Sequence, residues 1–559
     1  MFATLEWAST ILDGDWLGRA TFHPYFVWMQ NLAPLETWYQ WWGGQAIFHQ
    51  APLYPYWVAA LLACLGDSMR KILLVQLVVG ALDSLVIYAL ASRLFNPKVG
   101  LLAAAMTACY GPYIFQQGTL LRDWLPPLLE PLALLLILRA GDSGRTRNWV
   151  LAGATIGVAL LAKENLLIFL PLALWLTREY RCTFREAARV TVAIVLGLTI
   201  TLSPLIVRNA LTGAPLLSIS NRVAEGFIEG NAPGTNPIGF NTPASLPEIL
   251  DRANGRLMVV GYETLRLYQV DWLAYPELLI KKLRGLADPI EIPNNLNFAY
   301  GLEISSILNY TLTYGVVFPL GLAGLVLSYK NPPRSRLLLF YGLLTLLSLL
   351  LGIVLGRYRL VLVPVLIIYG AAALAMLANA ISQSKLPTAI AGSALIAGCA
   401  VLQHVILPLP TVRTDPGIMV YWPEYLFSAS LYGSQKQYEQ AVMEVMRLHA
   451  KSTDGGSLPS MPASMVSMTF RIEGENRLGW ANQLAERHKL EAAREQVQLA
   501  RAAFVEHFRL EQGIDIREAE LPALQSESQE SSFFSMLLAS GTQSAETEHA
   551  IRQLRTWLK

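Results

Sequence analysis

The chain has 559 residues, 53% of them hydrophobic, with a mean hydropathy of +0.38. Its 43 Lys and Arg nearly balance 41 Asp and Glu, leaving a net charge of +2, so global electrostatics exclude a nucleic-acid partner. This composition is that of a polytopic membrane protein with a modest water-soluble part.

Residues 1–73 are rich in Trp and Tyr (Trp38, Tyr39, Trp41, Trp42, Tyr54, Tyr56, Trp57), as in an interfacial segment at headgroup level. Ten apolar stretches follow, at roughly 74–95, 99–118, 123–139, 148–163, 165–178, 190–208, 305–328, 337–355, 361–381 and 388–407. Several fall short of the ~20 residues of a perpendicular crossing, which requires tilt or local thinning. Basic residues crowd alternate connections: Arg93 and Lys98; Arg139, Arg145 and Arg147; Arg178, Arg181, Arg185 and Arg189; Lys330, Arg334 and Arg336; and Lys385. The positive-inside rule makes these cytoplasmic and places residues 1–73, the connection at 209–304 and the tail at 408–559 outside. A chain beginning outside predicts a further helix ahead of Met1.

Within the spans, Asp83 and Glu130 need partners, and Pro126, Pro127 and Pro131 predict a bent helix around Glu130. Cys64, Cys109, Cys182 and Cys399 show neither paired spacing nor metal-ligand spacing, so neither a disulfide framework nor a metal site is expected and no cofactor is identified; nothing supports a divalent cation. The outer connection carries a Gly/Pro/Asn-rich run at 220–245 without regular periodicity, then a helical stretch at 246–267. The tail offers two helix pairs, at 425–450 and 477–504, with small residues where paired helices touch, resembling the tetratricopeptide pattern. An unrelated helical bundle fits the same residues. Such a domain would serve as a protein-partner or acceptor platform, or as a passive cap.

Three outer turns carry charge where orientation has no use for it. They are "QQGTLLRDW" with Arg122 and Asp123, "LAKENLL" with Lys163 and Glu164, and "LGRYRLVLVP" with Arg357 and Arg359. Cations gathered at an outer leaflet suit a phosphate ligand, Arg as a fork and Lys as a point charge. Snorkelling to lipid headgroups is the alternative for any one of them.

The segments "WASTILDGDW" (7–16), "FHQAPLYPYWVAALLACLG" (48–66) and "QLVVGALDSLVIYALASRLF" (76–95) resemble the opening of the membrane-embedded GT-C glycosyltransferases. They are most similar to family 39, the protein mannosyltransferase and aminoarabinose transferase group, and the three charged turns follow in the order that family would place them. The resemblance covers about residues 1–407. It implies an all-α polytopic membrane fold of GT-C type, with about ten transmembrane helices present, in the cytoplasmic membrane with its active face outside. A helical domain outside the membrane would close the chain.

It also implies transfer of a sugar from a polyprenyl-phosphate carrier to an acceptor on the outer face. Arg122, Lys163, Arg357 and Arg359 would hold the donor phosphate, with His49 and Glu164 as substrate contacts. The family's catalytic Asp would fall at or before Met1, with Glu6 as a weak substitute. Three rivals remain open: an inactive or truncated carrier-binding paralogue, a glycan polymerase or ligase, and a lipid-linked glycan transporter.

Overall fold

The computed structural model describes residues 2–19, 23, 25–66, 68–164, 172, 183–239, 241–329, 333–409, 422–451 and 463–512. Among these every named element is helical, apart from an isolated bridge between Tyr110 and Leu312. The chain divides into two compact units, Met1–Asn294 with Phe298–Pro410, and Asn295–Asn297 with Thr411–Lys559.

Among the described residues, five helices of the first unit are long and apolar enough to cross a membrane: Met69–Leu94, Arg122–Ser143, Phe184–Thr212, Gly356–Ser382 and Leu386–Ile406. Four shorter apolar helices, Leu53–Leu65, Thr146–Ala162, Tyr314–Ser328 and Arg336–Leu350, accompany them. This is a multi-pass membrane protein, although the ten stretches do not map one to one. An apolar helix at Leu53–Leu65 lies inside the segment read as purely interfacial. The stretch at 99–118 is two helices, Pro97–Ala108 and Gly111–Gln117, broken where Gly111 N–H donates to the Leu312 carbonyl at 2.9 Å. The stretch at 165–178 lies outside the described residues, except for buried Leu172.

Close helix pairs rest on small residues. Thr146–Ala162 and Phe184–Thr212 approach so tightly that a Cβ on Gly153 would lie 2.2 Å from the Ile194 carbonyl oxygen, and one on Gly197 would lie 2.0 Å from that of Val150. Without a hydrophobic drive inside lipid, such backbone proximity is what dispersion packing needs. The intramembrane acids also find partners: Glu130 accepts from the Tyr341 hydroxyl, and Asp83 from Gln117 at 3.4 Å.

The aromatic richness of the opening segment serves burial. Trp38, Trp41 and Trp42 are all at most 5% exposed and pack with Ala224, Ile228, Leu246, Ile249 and Leu250 of the outer connection. That packing corrects the reading of 220–245 as irregular, because it contains a ten-residue helix, Arg222–Asn231. Ala224, Glu225, Ile228 and Glu229 form its buried face, a helical period too brief to stand out among Gly and Pro. The helical stretch at 246–267 is two helices, Leu246–Ala253 and Leu257–Arg266, divided at Asn254, whose φ of 44° ends the first.

In the second unit, Trp422–Ser434 and Tyr438–Ala450 form one hairpin, and Ala463–Glu486 and Leu490–Gln512 another. The helices run 13 and 13 residues in the first pair and 24 and 23 in the second. These unequal pairs differ from the equal units of a tetratricopeptide array.

Candidate functional site

Three helix ends of the first unit meet. Arg122 opens the Arg122–Ser143 helix in a 3-10 turn, with Pro126 and Pro127 just inside, where a missing N–H costs nothing. Lys163 caps the C-terminal end of Thr146–Ala162 on extended backbone, and Arg357 lies in the first turn of Gly356–Ser382. That last turn is held close to the 288–292 segment. Gly356 N–H donates to the Ile292 carbonyl at 2.9 Å, and a Cβ on Gly356 would meet Glu291 Oε2 at 2.8 Å.

Asp123 stands at the centre, 3% exposed, with each oxygen engaged by a different cation. Lys163 Nζ donates to Oδ1 at 3.0 Å and Arg357 Nη1 to Oδ2 at 3.1 Å. The second branch of Arg357 donates to Asn294 Oδ1 at 2.7 Å. The Tyr358 ring lies under both cations, its centroid 4.4 Å from Lys163 Nζ and 4.9 Å from the Arg357 guanidinium.

Arg122 turns instead to Glu164, donating to Oε1 at 3.3 Å. The same oxygen accepts from the Ala51 backbone N–H at 2.9 Å and the Ser220 hydroxyl at 2.5 Å. Burial pushes the Glu164 carboxyl up, but Arg122, Ser220 and the backbone N–H groups outweigh it and hold the group ionised below its ordinary range. Three cations against two carboxylates therefore leave one unit of positive charge in this ring.

A second ionic group adjoins the first. Arg222 pairs with Glu225, which is fully buried and also accepts from the Trp42 indole N–H. Burial opposes the Arg222 charge, but Glu225, Glu229, Tyr358 and Glu164 hold it above the usual arginine value. His49 is buried against Trp42 and His23, with ring centroids 5.6 and 5.9 Å away. Burial, then Arg222, His23 and Arg122, push its imidazole well below the ordinary histidine value, so it is neutral. His23 is pushed down to about 4 by burial, with Arg208 adding to it against a hydrogen bond that its ring makes to the Gln45 carbonyl. Both imidazoles line a small cleft with Trp7, Phe48 and Arg208.

Of the candidate phosphate ligands, Arg122, Lys163 and Arg357 come together, and Arg359 goes elsewhere. Arg359 is 0% exposed and donates to the carbonyls of Asp288 at 2.5 Å and Ile290 at 2.7 Å. It also pairs with Glu291 at 3.1 Å and covers the Tyr314 ring at 3.8 Å. Both terminal nitrogens of its guanidinium are thus engaged by protein, and it braces the 288–292 segment. Glu6 is exposed on the Phe2–Leu12 helix, outside the cluster.

The sequence marks Asp123 without giving it a role, and it does not flag Ser220, Asn294, Tyr358, Arg222 or Glu225 as members. Only the adjacency of Arg122 and Asp123 in one turn signalled a paired site. Among the described residues, no group of three or more His, Cys, Asp or Glu is placed to hold a metal ion.

Residues 49–207 match the family described as dolichyl-phosphate-mannose-protein mannosyltransferase. The chain is similar to the undecaprenyl phosphate-alpha-4-amino-4-deoxy-L-arabinose arabinosyl transferase of Pseudomonas aeruginosa (strain UCBPP-PA14), 27% identical over 180 residues, 30% of this chain and 29% of that protein. To the protein of that description in Pseudomonas paraeruginosa (strain DSM 24068 / PA7) it is 27% identical over 200 residues, 34% of this chain and 32% of the other. The matched parts thus span about three-tenths of the relatives' length. Among solved structures, the chain aligns with an oligosaccharyltransferase from Archaeoglobus fulgidus at a TM-score of 0.37 and 15% identity, covering 70% of this chain and 50% of that one.

Proposed function

We propose that this chain, which matches the dolichyl-phosphate-mannose-protein mannosyltransferase family over residues 49–207, transfers a sugar from a polyprenyl-phosphate carrier to an acceptor at the outer face of the cytoplasmic membrane. One observation carries the reading. Arg122, Lys163 and Arg357 reach one point from three separate helix ends, with a single positive charge in surplus over Asp123 and Glu164. A sugar joined to a lipid phosphate is a phosphodiester bearing one negative charge, which that surplus neutralises.

On departure the polyprenyl phosphate gains negative charge. Cations already oriented in a partly dehydrated site stabilise this developing charge better than bulk water, which would have to reorganise. Asp123 holds Lys163 and Arg357 in place before the donor arrives, so the site is preorganised. Arg122 and Arg357 are 19% and 14% exposed, with guanidinium surface left for a phosphate oxygen.

The experiment is binding of undecaprenyl phosphate to the full chain in lipid nanodiscs, followed by release of that carrier from synthetic undecaprenyl-phosphate pentoses and hexoses. Arg357→Ala is expected to weaken carrier binding at least tenfold, and Lys163→Ala likewise. Unchanged affinity in both variants would remove the reading. Binding without release of carrier from any donor would favour a carrier-binding relative that does no transfer.

A further inference from the structure

A hydroxyl acceptor must lose a proton as its oxygen attacks, so a site that glycosylates hydroxyls needs a group with a free lone pair. Three carboxylates of the clustered site are already committed. Asp123 gives one oxygen to Lys163 and the other to Arg357. Glu164 binds Arg122, Ser220 and the Ala51 N–H, and Glu225 gives one oxygen to Arg222 and the other to Trp42. A carboxylate that accepts from cations and fixed donors on this scale is a poor proton acceptor.

Glu229 differs. It lies one turn beyond Glu225 on the same face of Arg222–Asn231, is 1% exposed, and among the described residues neither of its side-chain oxygens has a hydrogen-bond partner. A buried carboxyl without partners costs free energy and needs a reason in a native structure. Its charged surroundings are Arg222 and Glu225, and Arg222 in turn faces Tyr358 and Glu164 of the phosphate-binding group. The C-terminal end of the same helix is locked to the approach of the Gly356–Ser382 helix. Asn231 Nδ2 donates to the Leu351 carbonyl at 2.8 Å, and Gly230 lies so near Gly352 that a Cβ would meet its carbonyl oxygen at 2.5 Å. Glu229 is therefore carried on a rigid element beside the turn that delivers Arg357.

We propose that Glu229 is the proton acceptor of the transfer reaction, receiving the acceptor's hydroxyl proton; this assignment rests on the transferase reading. The acceptor oxygen uses its electron pair to form a bond to the anomeric carbon while its proton moves to a Glu229 oxygen. The bond from the anomeric carbon to the phosphate oxygen breaks, and its pair leaves with the phosphate. The phosphodiester monoanion and the Glu229 carboxylate thus become a phosphate monoester dianion and a neutral carboxylic acid, so charge and atoms balance. Glu229 then returns the proton to water. Burial, with Glu225 adding to it, lifts this carboxyl to about 7 against the pull of Arg222. A base of that strength is matched to work near neutral pH.

The test compares wild type with Glu229→Gln in nanodiscs, following release of undecaprenyl phosphate from undecaprenyl-phosphate pentoses and hexoses with a total cell-envelope extract as acceptor. The expected result is a fall in turnover of about 10²–10⁴-fold, the usual worth of a general base. Affinity for undecaprenyl phosphate and thermal stability should be unchanged, because the amide displaces no bond. The acid limb near pH 7 should vanish from the rate profile, and Glu229→Asp should recover part of the rate. Infrared titration should show a wild-type carboxylic C=O band that fades between about pH 6 and 8 and is missing from Glu229→Gln. Turnover in Glu229→Gln within threefold of wild type, or a band that does not titrate, overturns the assignment alone. A wild type that neither binds carrier nor releases it removes the transferase reading and this assignment with it.

Discussion

Asp123 and Arg357 are 234 residues apart in the chain and joined by a 3.1 Å hydrogen bond from Nη1 to Oδ2. Lys163 completes the clamp from a third helix end, so one buried carboxylate ties together three parts of the membrane bundle. The clustered cations are held by the bonds that also hold the helices in register.

Asp123→Asn should expose that coupling. The amide leaves buried Lys163 beside partly buried Arg357 without their counter-charge, and breaking a buried ion pair from one side costs about 3 kcal/mol or more. Thermal unfolding in detergent should show the loss. Asp123→Asn combined with Lys163→Met should recover much of it, since the stranded charge is removed as well. Simple addition of the two single losses would show that the three residues do not act as a unit.

Arg357 and Arg359 are two residues apart and should behave differently. Arg359→Lys removes the fork that holds the Asp288 and Ile290 carbonyls and leaves buried acceptors unsatisfied, at about 1–3 kcal/mol. Its main effect should be a lower unfolding temperature. Arg357→Lys keeps a charge beside Asp123 but loses the second bond to Asn294, so carrier affinity should fall while stability changes less. Matched carrier binding and stability changes in the two variants would contradict this division.

Lys282 gives a pH prediction. It is fully buried in Ala274–Ala287 and donates to the Leu350 carbonyl at 2.6 Å and to Asn231 at 3.3 Å. Burial pushes its amine down to about 7. Between about pH 7 and the ordinary lysine value near 10.4 the unfolded chain holds a proton that the folded chain lacks. Stability should therefore rise with pH across that window and be independent of pH through this group below it, where both states hold the proton and the cost of burying the charge is constant. Lys282→Met should flatten the curve of unfolding temperature between pH 7 and 10, and an unaltered slope would count against the buried amine as its source.

Gly197→Ala tests the helix contact beneath the site. A Cβ there would sit 2.0 Å from the Val150 carbonyl oxygen, so backbone must move. Overpacking of this kind costs about 1–3 kcal/mol. The variant should unfold at lower temperature with carrier affinity little altered, since the proposed phosphate ligands Arg122, Lys163 and Arg357 lie elsewhere in the chain. A variant as stable as wild type would mean that the two helices can separate freely.

How much of this was legible beforehand varies with the length scale of the signal. Runs of apolar residues tens of positions long identified the membrane body, because spanning a bilayer imposes length and composition directly on the sequence. Charges isolated between such runs identified Arg122, Lys163 and Arg357, because their cost near lipid makes them conspicuous. Arg359 carries the same charge in the same turn, yet tertiary structure alone separates its role, since a two-residue shift along the first helical turn points its guanidinium at the Asp288 and Ile290 carbonyls. The helix Arg222–Asn231 was hidden because its buried side is short and includes two acids, Glu225 and Glu229. Their burial makes sense only once Arg222, Trp42 and the neighbouring helix ends are assembled around them. Sequence determined what must lie in the membrane, and the tertiary structure decided which charges meet, because ion pairing depends on distances of a few ångströms between residues hundreds of positions apart.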